Sequence, residues 1–150
     1  MKFADFHAGQ VIEAGPYVLT EAELVQFARA YDPQWFHTDA EAAAHSPFGG
    51  LIASGWHTCS IAMRLVVETA LAGSESFASP GLEHVRWPHP VRPGDELRLV
   101  AEVIEVRRSE KRPTLGILRW RWRLFNQRGL MALEVAVPSL FRLAMPGCTH

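Results

Sequence analysis

Residues 54–73 read SGWHTCSIAMRLVVETALAG, and this stretch decides how the rest of the chain must be arranged. From Trp56 to about Leu71 its only acidic or basic groups besides His57 are Arg64 and Glu68, and it contains no proline. It therefore reads as a long helix that is apolar on most sides. Ser54 stands where an N-cap belongs, and Gly73 where a helix stops. A helix with so little polar surface belongs inside something. The remaining chain must supply the wall.

The wall lies downstream. Gly73-Ser74-Glu75-Ser76 reads as a loop and 83–87 as a short strand, followed by longer strands over 96–106, 115–125 and 131–143. The middle one alternates cleanly, Arg119, Arg121 and Arg123 against Trp120, Trp122 and Leu124, so the arginines are expected on the outer sheet face. Pro93-Gly94-Asp95 and Asn126-Gln127-Arg128-Gly129 supply turns, and Pro138 predicts an edge position or a bulge. Upstream, Thr20 and Glu23 form a capping box, and a helix runs from there to the stop at Asp32-Pro33. Thr38 and Glu41 predict a second, short helix to Ala44. The expected fold class is α+β, a single domain over residues 1–150 with a long central helix wrapped by an antiparallel sheet.

Composition narrows the function. The chain has 150 residues, 48% of them hydrophobic, and a net charge of −1, which gives no global attraction for nucleic acid. Cys59 and Cys148 lack C-x-x-C partners, so neither a disulfide framework nor a metal site is expected. No segment approaches the ~20 apolar residues of a membrane span, and the first residues lack a signal-like apolar run. A cytoplasmic protein with no membrane partner is the expectation.

The chemistry-bearing residues are Asp32 and His37, held in a short segment between two capped helices. On spacing alone they fit two readings: a turn aspartate with a packed histidine, or a carboxylate–imidazole pair sharing acid and base roles. The apolar, glycine-rich loop 47–55 runs into the N-terminus of the long helix, where free N–H groups favour negative charge.

The run Tyr31-Asp32-Pro33-Gln34-Trp35-Phe36-His37-Thr38-Asp39, followed by Phe48-Gly49-Gly50-Leu51-Ile52-Ala53-Ser54-Gly55, resembles the hydratase motif of MaoC-like dehydratases. These include the (R)-specific enoyl-CoA hydratases and adopt the hot-dog fold. Pro90-Val91-Arg92-Pro93-Gly94-Asp95-Glu96-Leu97 is similar to that family's lead into its long strands. The resemblance implies a hydro-lyase that adds water to a trans-2-enoyl thioester of coenzyme A or acyl carrier protein, or runs the reverse. It makes Asp32 and His37 the catalytic pair and the Gly55 N–H the donor to the thioester carbonyl. Ser60 would hydrogen-bond near the aspartate, with no cofactor or metal. The motif is left at two places. Gln34-Trp35 stands where the family has asparagine-proline, and Ser54 where it has histidine; Gln34 then has to supply the amide.

Trp35, Phe36 and Trp56 flank the expected site, as a wall limiting acyl length or as ordinary packing. The basic turn Arg107, Arg108, Lys111 and Arg112 is a candidate for coenzyme A phosphates or a plain solvated hairpin tip. An exposed strand edge predicts a homodimer, in agreement with the resemblance. Two other functions stay open, a hot-dog thioesterase using the same oxyanion donors and a non-catalytic acyl-thioester-binding subunit.

Overall fold

The long strands form where alternation and turns place them, in a computed structural model that describes residues 1–147. Cys148 and His150 lie outside the described residues. The three long strands are β4 (Glu96–Arg108), β5 (Leu115–Phe125) and β6 (Met131–Arg142), an antiparallel meander. Leu118, Trp120, Trp122 and Leu124 of β5 are buried against the helical side. Arg119 faces outward onto Glu83 at 2.6 Å, and Arg121 and Arg123 lie 3.8 and 3.6 Å from Glu134. The full sheet has six strands in the order β1-β4-β5-β6-β2, adding β1 (Val11–Val18), β2 (Ser76–Ala78) and β3 (His84–Arg86), which also pairs with β6.

Two of these strands are invisible to pattern reading. β1 contains Gly15-Pro16, which reads as a break. It is tolerated because β1 is the sheet edge and its register shifts between Ala14 and Tyr17. Gly15 adopts φ +101°, and a Cβ there would meet the Leu97 carbonyl oxygen at 2.7 Å. β2 has three residues, too few to show alternation. Pro138 sits within an interior strand rather than an edge. It falls at the gap between the β3 pairing (134–136) and the β2 pairing (140–141), where no partner strand needs its missing N–H. Its carbonyl accepts from Ser79 Oγ at 2.6 Å.

Helix α1 (Glu21–Tyr31) forms half of the expected capping box: Thr20 Oγ1 accepts from the Glu23 N–H at 3.2 Å, while the Glu23 carboxylate turns to Tyr17 and His57, and the helix buries Leu24 and Ala28. A one-turn helix, α2 (Trp35–Thr38), follows at once. The next helix, α3 (Ala40–Ala44), is capped by Asp39 rather than Thr38. Thr38 closes α2 and donates to the Gln34 carbonyl at 3.1 Å, which leaves the Asp39 carboxylate to accept from Ala42 N–H at 3.0 Å.

The long helix α4 (Gly55–Val66) continues into a π turn over Val67–Leu71. The sheet and α1 together bury its His57, Thr58, Ile61, Ala62, Leu65 and Val66 side. Each fully buried Leu, Ile or Val stabilises the fold by about 1.5–3 kcal/mol relative to exposure. Enclosure is one-sided, however. Trp56, Met63 and Val67 remain 61%, 41% and 37% exposed, so within one chain the helix keeps an open apolar face. Among the described residues no helix is long and apolar enough to cross a membrane.

Candidate active site

Asp32 is the C-cap of α1, and its N–H closes the last turn on Ala28 O at 2.8 Å. Pro33 stops the helix there, and the single turn of α2 brings His37 back over Asp32. His37 Nε2 lies 3.2 Å from Asp32 Oδ2, with the two side chains 6% and 16% exposed. His37 Nδ1 is 2.6 Å from the Ile52 carbonyl, which can only accept. That contact fixes a proton on Nδ1 and aims Nε2 at the carboxylate.

Both oxygens of Asp32 are held by side chains at the positions where the sequence leaves the family motif. Gln34 Nε2 donates to Oδ1 and Ser54 Oγ donates to Oδ2, each at 2.7 Å. Desolvation pushes this carboxyl up. The donors Ser54 and Gln34, with the neighbouring His37, outweigh it and hold Asp32 below the ordinary carboxylate range. Asp32 is therefore a carboxylate near neutral pH.

Ser54 occupies the N-cap position of α4, but its hydroxyl makes no cap. The side chain is spent on Asp32 instead, which ties the start of α4 to the end of α1. Among the described residues the Gly55 and Trp56 N–H groups have no acceptor, as expected for the first positions of a helix. The preceding loop is anchored by Ile52 N–H on Phe36 O (3.2 Å) and Ala53 N–H on Val91 O (2.8 Å), and Arg92 binds the Phe48 carbonyl. Trp87 lies directly on Gly55: its Nε1 donates to Gly55 O at 3.0 Å, and a Cβ on Gly55 would sit 2.6 Å from Trp87 Cε2. Only glycine fits beneath that ring.

Asp32, His37, Gly55 and Trp56 line one cavity of about 440 Å³, with Trp87, His89 and Val91 across from them. The structure thus brings the expected pair to the expected helix terminus, and Gln34 reaches them through the carboxylate. Ser60 is a correction. Its hydroxyl donates to Trp56 O at 2.8 Å, one helical turn back, and it lines a separate cavity. The hydroxyl on the aspartate belongs to Ser54. The basic hairpin fits its other reading, a solvated tip: Arg108 binds Ala144 O at 2.9 Å, and none of Arg107, Arg108, Lys111 or Arg112 lines the cavity. Trp87 and His89 escaped the sequence reading because only the sheet brings 87–91 against α4.

The comparisons place the chain in a family. Residues 4–117 match the model of the MaoC like domain. A structure described as the MaoC-like dehydratase from Rhodospirillum rubrum is 37% identical, covers 95% of this chain and 97% of its own, and superimposes with a TM-score of 0.86. The (R)-hydratase from A. caviae is 26% identical over 93% of this chain and 98% of its own, with a TM-score of 0.74. The 3-hydroxyacyl-thioester dehydratase Z of Mycobacterium tuberculosis is 35% identical over 66% of this chain and 68% of that protein. This chain is a member of the MaoC-like dehydratase family, with the hot-dog fold and a hydratase or dehydratase type of site.

Proposed function

We propose that this protein is a hydro-lyase that adds water to the double bond of a trans-2-enoyl thioester of coenzyme A or acyl carrier protein, or removes it from the 3-hydroxyacyl thioester. The observation that carries this reading is the 3.2 Å approach of Asp32 and His37 in a cavity that also exposes the start of α4. Hydration needs a base for water, an acid for C2 and donors for the enolate oxygen. The Asp32 carboxylate takes a proton from water as the water oxygen bonds C3. Electron density moves onto the thioester oxygen, which the Gly55 N–H holds at the positive end of α4. His37 enters the step as the imidazolium, with its Nε2 proton on the Asp32 side, and delivers that proton to C2; the proton that Asp32 took from water then passes to Nε2, which restores the pair. One water is consumed, and no redox equivalent is needed. Both acid–base groups reach the substrate from one side of the cavity, which favours syn addition and, by the family resemblance, an (R)-3-hydroxyacyl product.

The acyl chain leads from Gly55 toward Trp56 and Trp87, whose rings meet edge to face at 6.0 Å. We read Trp56 as the wall that limits acyl size. The open apolar face of α4 beside the β2/β3 edge supports pairing of two copies. The test is steady-state hydration of crotonyl-CoA by the purified protein and by Asp32→Asn and His37→Ala. Each substitution should lower kcat about 100- to 10,000-fold. Unchanged turnover in either variant, or release of free coenzyme A with the double bond intact, contradicts the assignment.

A further inference from the structure

Three polar side chains outside the catalytic cavity join the two helices that carry the site. His57, in the first turn of α4, is 4% exposed and lies flat on Phe27 of α1, with ring centroids 4.3 Å apart and planes within 9°. Its Nε2 is 3.4 Å from Glu23 Oε1, one turn before Phe27 on the same face of α1. The Tyr17 hydroxyl of β1 donates to that same Glu23 oxygen, and Arg64 of α4 sits 5.6 Å over the Tyr17 ring. Among the described residues His57 Nδ1 is buried without a partner. A neutral ring protonated on Nε2 fits this setting: it donates to Glu23 and leaves only a lone pair unsatisfied. Burial pushes His57 below the ordinary histidine value, against the opposing pull of Glu23.

A buried imidazole is a costly way to fill space that an apolar side chain would fill without an orphaned atom. Its position suggests what is gained. α1 ends on Asp32 and α4 begins at Gly55, so the packing of α1 on α4 sets where the carboxylate stands relative to the Gly55 N–H. The Ser54–Asp32 hydrogen bond ties the two helices at the site itself. The stack and the carboxylate bridge tie them about two turns of α1 further back.

We propose that Glu23, His57 and Tyr17 act as a positioning clamp, fixing α1 on the first turn of α4 and thereby holding the Asp32 carboxylate against Ser54 and the Gly55 N–H. This inference rests on the hydration reading for its kinetic consequence but not for its structural one. The experiment compares Glu23→Ala, Glu23→Gln and Tyr17→Phe with the wild type. It measures kcat and KM on crotonyl-CoA and the titration of the Asp32 carboxyl by carbon-13 NMR. Glu23→Ala should lower kcat about 10- to 100-fold with KM little changed, the scale of a small misplacement of a reacting group. Its Asp32 should titrate at higher pH than in the wild type, because the carboxyl has slipped from the Ser54 donor. Glu23→Gln keeps an oxygen acceptor for both donors and should restore both readouts. Tyr17→Phe should fall between the two and covers the case in which Glu23→Ala does not fold.

A folded Glu23→Ala, or Tyr17→Phe in its place, with wild-type kcat and an unmoved Asp32 titration overturns the clamp, even if its stability has fallen. A wild-type protein that hydrates no enoyl thioester overturns the functional reading instead and leaves the titration to decide the clamp.

Discussion

Gly55→Ala is the substitution for which the structure gives the most definite cost. A Cβ built on Gly55 lies 2.6, 2.8 and 2.9 Å from Cε2, Cζ2 and Nε1 of Trp87, well inside van der Waals contact. The ring must move, and the bond from its Nε1 to Gly55 O must lengthen or break. Overpacking of this kind costs about 1–3 kcal/mol, and the lost hydrogen bond about 1 kcal/mol more. Alanine returns up to ~1 kcal/mol of helix propensity, less at a first-turn position. The net loss is therefore about 1–4 kcal/mol. In a Trp87→Ala background the clash and the bond are both absent, so Gly55→Ala should be neutral or stabilising by up to ~1 kcal/mol there. The double-mutant cycle, read by urea unfolding, should give a coupling of about 2–4 kcal/mol, the sum of the clash and hydrogen-bond costs. Turnover should fall about 100-fold or more in Gly55→Ala, because the oxyanion donor at the start of α4 is displaced. A coupling near zero refutes the reasoning, since the cost would then have nothing to do with Trp87.

Ser54→Ala removes a donor that holds Asp32 ionised. With that carboxyl depressed in the native state, losing the donor raises it, so the acid limb of the kcat/KM profile should move to higher pH. The stabilisation from the depressed carboxyl is present above the ordinary carboxylate value and lost as pH falls through the native one. The Tm gap between wild type and Ser54→Ala should therefore be open at neutral pH and close in acid, which a series of melting curves checks. The bond itself is charge-assisted, so its loss should cost about 1.5–3 kcal/mol. Gly15→Ala forces a side chain into φ +101° and against the Leu97 carbonyl oxygen, and should destabilise by about 1–3 kcal/mol in denaturant titration without touching KM.

Strong local signals made the meander and α1 readable. Period-two alternation in β5 and the Thr20 cap of α1 are each set by a few adjacent residues. The parts that escaped depend on the sheet. β1 is a strand because β4 offers it an edge, in spite of Gly15-Pro16, and Pro138 is tolerated because β2 and β3 leave a gap opposite it. The enclosure expected for α4 was overstated because apolar composition does not say which surface buries a face. At the site, Asp32, Gln34 and His37 were legible as a local segment. Ser54 was read only as a cap and a departure from the family motif, because nothing in the sequence shows that α1 ends within hydrogen-bonding reach of it. Ser60 was assigned through the family resemblance, but the helix turns it toward its own backbone and another cavity.

In the proposed reaction Asp32 and His37 add water across a double bond beside the Gly55 N–H. The most direct measurement incubates the protein with crotonyl-CoA in oxygen-18 water and follows the intact thioester by mass spectrometry. A 3-hydroxybutyryl-CoA carrying the label on C3, formed by the wild type and abolished in Asp32→Asn, is the predicted result. Free coenzyme A with labelled crotonate, or label at C3 at the same rate in Asp32→Asn, contradicts it.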